Sequence, residues 1–120
     1  VINRRVLVID DDIYLREVLH EILSDDGYDV REASDGMAAL DTLAEWTPAV
    51  IILDLMMPVM DGREFRARQR DLGRAIDVPV IVLSASRQID AAAELDAARI
   101  LAKPFEMDEL LSAVQSLREG

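Results

Sequence analysis

At 120 residues with a formal net charge of -11, the chain is one domain of ordinary size. Its charge repels nucleic acid and anionic membranes, so neither is expected as a direct partner, and cations and basic protein surfaces are favoured instead. The absence of cysteine excludes disulfides and thiolate metal sites and suits the cytoplasm, no apolar stretch approaches the roughly 18 residues of a membrane span, and no signal-peptide pattern precedes Asp10.

Val6-Leu7-Val8-Ile9 predicts a short buried strand that ends at Asp10-Asp11-Asp12. Leu15, Val18, Leu19, Ile22 and Leu23 then recur at helical spacing, with Asp12 as N-cap and Gly27 as the stop. Residues 28–33 predict a second, more polar strand suited to a sheet edge. Residues 35–46 predict a helix with Met37, Leu40 and Leu43 inward, broken at Thr47-Pro48. The unbroken apolar run 49–53 has the pattern of a strand buried on both faces, and Asp54 sits where it surfaces. Pro58 cannot continue a ladder and Gly62 is conformationally free, so the residues between them form a shaped loop.

A third helix is predicted over 62–72, with Phe65 and Leu72 on its apolar side and Arg63, Arg66 and Arg70 outside. A fourth strand over 80–83 leads to Ser84-Ala85-Ser86 and an alanine-rich helix over 89–97. A fifth strand over 99–102 ends at Lys103-Pro104-Phe105, and Met107, Leu110, Leu111, Val114 and Leu117 line one face of a last helix. Five strands alternating with five helices predict an α/β fold whose right-handed crossovers make the sheet parallel.

In open α/β sheets, ligands bind outside the carboxyl ends of the strands where the strand order reverses. Strand one ends in Asp10-Asp11, strand three in Asp54, strand four in Ser84 and strand five in Lys103, while strand two ends blandly in Ala33-Ser34. In the order 2-1-3-4-5 the three carboxylates converge, and they repel one another unless a cation compensates. Oxygen ligands without Cys or His suit Mg²⁺, which prefers one or two carboxylates together with a phosphoryl oxygen. Lys103, the only lysine, offers a compact charge to Asp54 and to an anion placed upon it, and Ser84 offers a hydroxyl donor. Read singly, the acidic triplet is a helix cap and Lys103-Pro104 a loop; it is their positions at the strand ends that point to chemistry. His20, with Arg16 and Ser24 on the polar side of the first helix, reads as surface, and Asp61-Gly62 as a turn and helix start.

The motifs 8–12, 54–62, 83–85 and 103–105, taken together over the whole chain, resemble the receiver domain of two-component response regulators. The resemblance implies a flavodoxin-like, doubly wound five-stranded sheet with five helices. It further implies that Asp54 accepts a phosphoryl group from a phosphohistidine on a sensor histidine kinase or histidine phosphotransfer protein. Asp11 would ligate Mg²⁺ directly, Asp10 largely through water, and Met56 through its backbone carbonyl. The bond between Lys103 and Pro104 would be cis.

Phosphorylation would draw Ser84 inward and repack the face of the fourth helix, fifth strand and fifth helix, through which an output domain or a second copy would pair. Ile100 stands where the family usually has an aromatic switch residue, Asp96 stands where glycine is usual, and the fourth helix is short by family standards. Met56 and Ser86 hold the positions that tune dephosphorylation, which implies a long-lived phosphoryl state. Val1 rather than Met suits a single receiver domain cut from a longer response regulator or hybrid kinase. The domain would act as a switch, an enzyme only upon itself. Two alternatives are a haloacid-dehalogenase-like phosphohydrolase, whose Asp-x-Asp motif Asp10-Asp11-Asp12 mimics, and an interaction module that works without phosphorylation.

Overall fold

The sheet is assembled from the apolar runs, because strands this apolar are stable only when both faces are covered. The structure, a computed structural model, describes residues 2–57, 59–85 and 95–119. Strands β1 (Arg5–Ile9), β2 (Asp29–Ala33), β3 (Val50–Asp54), β4 (Val80–Ala85) and β5 (Arg99–Lys103) run parallel in the order β2-β1-β3-β4-β5. Helices α1 (Ile13–Asp25), α2 (Gly36–Leu43), α3 (Gly62–Leu72) and α4 (Met107–Glu119) flank it.

Alternation along the strands divides the core in two. Leu7, Ile9, Ile51, Leu53 and Val82 pack with Leu40 and Leu43 of α2 and Phe65 of α3. Val6, Val8, Ile52, Ile81 and Leu83 pack with Leu19 and Leu23 of α1 and Leu110 and Val114 of α4. Strands β2 and β3 lie on opposite sides of β1, so the chain reverses direction across the sheet between β1 and β3. That reversal opens a crevice at their carboxyl ends. The polar β2 is an edge, as its sequence predicts.

Aspartates start the helices. Asp12 accepts from the N–H groups of Tyr14 and Leu15, Asp35 from that of Ala38 and Asp61 from that of Glu64, each cap contributing about 1 kcal/mol. Gly73 closes α3 in the left-handed conformation at φ 65°. Trp46, the single tryptophan, is buried between guanidinium groups, with Arg31 4.9 Å and Arg5 5.5 Å from its ring centre.

Several side chains fall elsewhere than the periodicity predicts. Met37 is 48% exposed because the buried stripe of α2 is Gly36, Ala39, Leu40 and Leu43, one position out of phase with it. Val18 is exposed beside the buried Leu19, and Leu72 is exposed at the end of α3, where Gly73 turns the chain away. Pro58, Ser86 and most of the fourth predicted helix lie outside the described residues. Its expected end at 95–97 is not helical, and Asp96 has φ 56°, left-handed backbone at the place where the family resemblance expects glycine.

The loop after β3 is held at both ends. The Gly62 N–H donates to the Leu55 carbonyl at 2.8 Å, and Met60 packs onto Gly36 so closely that a Cβ there would lie 2.5 Å from its sulfur and 2.9 Å from its Cγ. Gly36→Ala is expected to destabilise the protein by about 2 kcal/mol through overpacking. Val59, 94% exposed, sits at φ 67°, a conformation that costs a branched residue roughly 1–2 kcal/mol. Val59→Gly is therefore expected to stabilise by about 1 kcal/mol, and denaturant unfolding of the two variants beside the parent checks both signs.

Candidate functional site

Because β1 and β3 are neighbours in register, their terminal residues bring two carboxylates together: Asp10 follows β1 and Asp54 ends β3. Asp10 is 0% and Asp54 6% exposed, whereas Asp11 is exposed at the rim. One oxygen from each of the three lies within 4.8 Å of the others. Asp10 Oδ1 accepts from the Asp12 N–H at 2.9 Å, and Asp54 Oδ1 accepts from the Met56 N–H at 3.3 Å. From the end of β5, Lys103 Nζ reaches 3.5 Å from Asp54 Oδ1 and 3.6 Å from Asp10 Oδ2. The second distance is that of an ion pair too long for a hydrogen bond, which leaves Asp10 Oδ2 buried without a hydrogen-bond partner among the described residues.

Burial governs the protonation of both acids. It pushes the Asp54 carboxyl up to about 6, helped by the neighbouring Asp10 charge and opposed by the Lys103 ammonium and the Met56 N–H. Asp10 is raised too, first by burial, with the Asp12 N–H and Lys103 pulling the other way. One ammonium thus serves two buried carboxylates, with a third carboxylate at the rim. The donor set fits a hard divalent cation: it offers oxygen only, in few ligands, with one buried oxygen unpartnered.

The other predicted residues are near but differently engaged. Ser84, buried at the end of β4, donates its hydroxyl to the Ala85 carbonyl at 2.9 Å. Met56 leaves its side chain exposed. The bond between Lys103 and Pro104 is cis. Ile100 is partly buried opposite Val82, packed against the α2/α3 core. His20 is not a bare surface residue, since its Nδ1 lies 2.7 Å from Glu32 Oε2.

Two residues escaped the sequence reading. Arg16 donates to the Asp10 main-chain carbonyl at 2.6 Å and to Glu32 Oε1 at 3.2 Å, and Glu32 belongs to the strand whose end looked silent. The available signal was a pair of basic residues one turn apart, Arg16 and His20, on a helix that packs beside a strand ending in Glu32-Ala33.

The family description of the response regulator receiver domain matches residues 6–115, and the chain belongs to that family. Over 116 residues, 94% of the chain, it is 42% identical to the response regulator MprA of Mycobacterium sp. (strain KMS), and it spans 50% of that relative's length. The receiver domain of the sensor histidine kinase PA1611 of Pseudomonas aeruginosa PAO1, with a magnesium ion in its active site cleft, superposes with a TM-score of 0.89 at 25% identity, covering 98% of this chain and 99% of that one. The response regulator TrrA of Thermotoga maritima, in complex with Mg²⁺ and BeF, superposes with a TM-score of 0.83 at 31% identity, covering 95% and 98%. The chain is accordingly a signalling domain, and the phosphohydrolase alternative falls away. Among the described residues no helix is long and apolar enough to cross a membrane.

The raised Asp54 has a consequence for stability. Its carboxyl holds a proton to about 6 in the folded state, against 3.8 for the ordinary group, so the folded chain is the tighter proton binder. The stability this contributes is complete below the lower value and lost as pH rises through the higher one. Asp54→Asn is expected to stabilise the protein in chelator by about 2 kcal/mol at pH near 7.5, and the gain should shrink as pH falls towards about 4.5. Unfolding of parent and variant across that range measures it; a gain that does not change with pH would refute the assignment.

Proposed function

We propose that the chain is the phosphoacceptor switch of a two-component or phosphorelay system, taking a phosphoryl group from a phosphohistidine onto Asp54. The observation that carries this reading is the buried Asp54 carboxylate flanked by Asp10 and by the Lys103 ammonium at 3.5 Å, at the crevice where the strand order reverses. The donor is a sensor histidine kinase or a histidine phosphotransfer protein, and the protein works in the cytoplasm. Residues 1–120 act as one receiver domain of a longer response regulator or hybrid kinase, in keeping with the 50% of MprA that they span.

Asp54 attacks phosphorus through a carboxylate oxygen as the bond from phosphorus to the imidazole nitrogen breaks, and the histidine leaves with that electron pair. The attack needs the ionised acid, which neutral pH supplies once burial has raised the group only to about 6. The Met56 N–H holds Asp54 Oδ1 and so sets which way the carboxylate faces. Lys103 screens the approaching phosphoryl oxygens, an electrostatic contribution that the burial of Asp10 and Asp54 beside it enlarges. Asp11, Asp54 and the main-chain carbonyl of Met56, with Asp10 largely through water, would hold Mg²⁺, which would supply neutralisation of the phosphoryl charge.

Ser84 then exchanges the Ala85 carbonyl for a phosphoryl oxygen, and the movement reaches β5 through the Ser84–Ala102 register. Ile100 and α4 repack, changing the surface offered to an output domain or a second copy. The domain promotes its own phosphorylation and dephosphorylation and turns over no separate substrate. Met56 and Ser86 set how long the phosphoryl group stays.

Intact mass after incubation with Mg²⁺ and acetyl phosphate tests this. One phosphoryl adduct is expected on the parent, none on Asp54→Asn, and formation slowed about 100-fold in Lys103→Met. Release of phosphate without an adduct, or an adduct that survives Asp54→Asn, would sink the reading.

A further inference from the structure

Arg16 begins the second turn of α1, its N–H bonded to the carbonyl of the Asp12 cap, and its side chain is 13% exposed. Nη1 donates to the main-chain carbonyl of Asp10 at 2.6 Å, while Nε donates to Glu32 Oε1 at 3.2 Å. The other Glu32 oxygen lies 2.7 Å from Nδ1 of His20, so the carboxylate that receives Arg16 is itself held from α1. The Asp10 N–H donates to the carbonyl of Ala33, the residue after Glu32, at 3.2 Å. Both main-chain polar groups of Asp10 are thus tied, one directly to β2 and the other to β2 through Arg16. Between those ties its carboxylate spends Oδ1 on the Asp12 N–H and keeps Oδ2 unbonded, 3.6 Å from Lys103.

Resting on the phosphoacceptor reading above, we propose that Arg16, braced by Glu32, is a positioning residue for the acidic site. It fixes the turn at 10–12 so that Asp10 Oδ2 stays free on the side of Lys103, and it thereby sets the affinity for Mg²⁺. Two physical effects oppose each other here, which makes the claim decidable. As a bare charge, a guanidinium beside three carboxylates weakens cation binding. As a planar fork anchored at two points it removes the freedom of the turn, and that is something lysine cannot reproduce. Outer-shell partners of metal ligands commonly change metal affinity by about 10–100-fold.

Calorimetric Mg²⁺ titration of the parent, Arg16→Lys, Arg16→Met and Glu32→Gln separates them, with hydrogen exchange at the Asp12 amide measured in chelator. The dissociation constant is expected to rise about 10-fold in both Arg16 variants and a few-fold in Glu32→Gln. The Asp12 amide should exchange faster in all three, while amides of β3 keep their protection. Arg16→Lys retains the charge of the region and Glu32→Gln leaves Arg16 itself in place, so they carry the test should Arg16→Met fail to fold. Unchanged affinity in Arg16→Lys, or tighter binding in Arg16→Met, would show that the residue acts by charge alone and overturn the inference. A parent that binds Mg²⁺ and takes a phosphoryl group while its variants match it overturns this inference only; a parent that does neither overturns the phosphoacceptor reading with it.

Discussion

Asp10 and Asp54 are both buried, at the ends of adjacent strands, with one shared ammonium between them. Taking such groups out of water costs several kcal/mol apiece, and their mutual repulsion adds to it. The rest of the architecture answers that cost. Strands β1 and β3, which end at the two acids, are buried almost throughout, and each is packed from both sides, by α2 and α3 on one face and by α1 and α4 on the other. A looser sheet would let the carboxylates swing apart or admit water between them. The site is therefore a charged defect held open by an aliphatic core, and its readiness to take a cation follows from that.

The same burial of the two acids makes the site responsive. A charge added where little water screens it acts on neighbouring dipoles far more strongly than at the surface. Among the described residues the Ser84 hydroxyl is engaged with the adjacent Ala85 carbonyl alone, a contact it can exchange by turning about its own side-chain bond. Beyond it lies β5, the other edge strand, with Leu101 alone buried among its residues. Regions of low local burial open and rearrange most easily, so the part of the sheet next to Lys103 is also the part best able to move.

Most of this fold could be read from the chain, for reasons that differ by element. The runs 6–9, 49–53 and 80–83 announce strands covered on both faces, and α3 was predicted with the bounds it has, its start marked chemically by Asp61-Gly62. The polar strand ends identified the crevice. Met37 and Leu72 were misplaced because periodicity gives the spacing of a helix but neither its phase against the sheet nor how far it overhangs. Arg16 and Glu32 were missed for a deeper reason: the bond that ties them to the site runs from Arg16 to the main-chain carbonyl of Asp10, and a carbonyl leaves no trace in a sequence. The direction of the Ser84 hydroxyl was likewise illegible, being a rotamer and not a residue.

The contact between Met60 and Gly36 carries a consequence for how such a chain can diverge. Met60 belongs to the loop that follows Asp54, and Gly36 opens α2. Since a Cβ at 36 would meet the Met60 side chain at its sulfur and at its stem, the two positions form a single packing decision split across distant stretches of sequence. A lineage that acquires a side chain at 36 must shorten the one at 60 or let the loop shift, and a shift there changes how Asp54 is presented. Variation at a helix start that touches no ligand can in this way retune the chemistry, which makes positions 36 and 60 a pair to be exchanged together when loops are grafted between related domains.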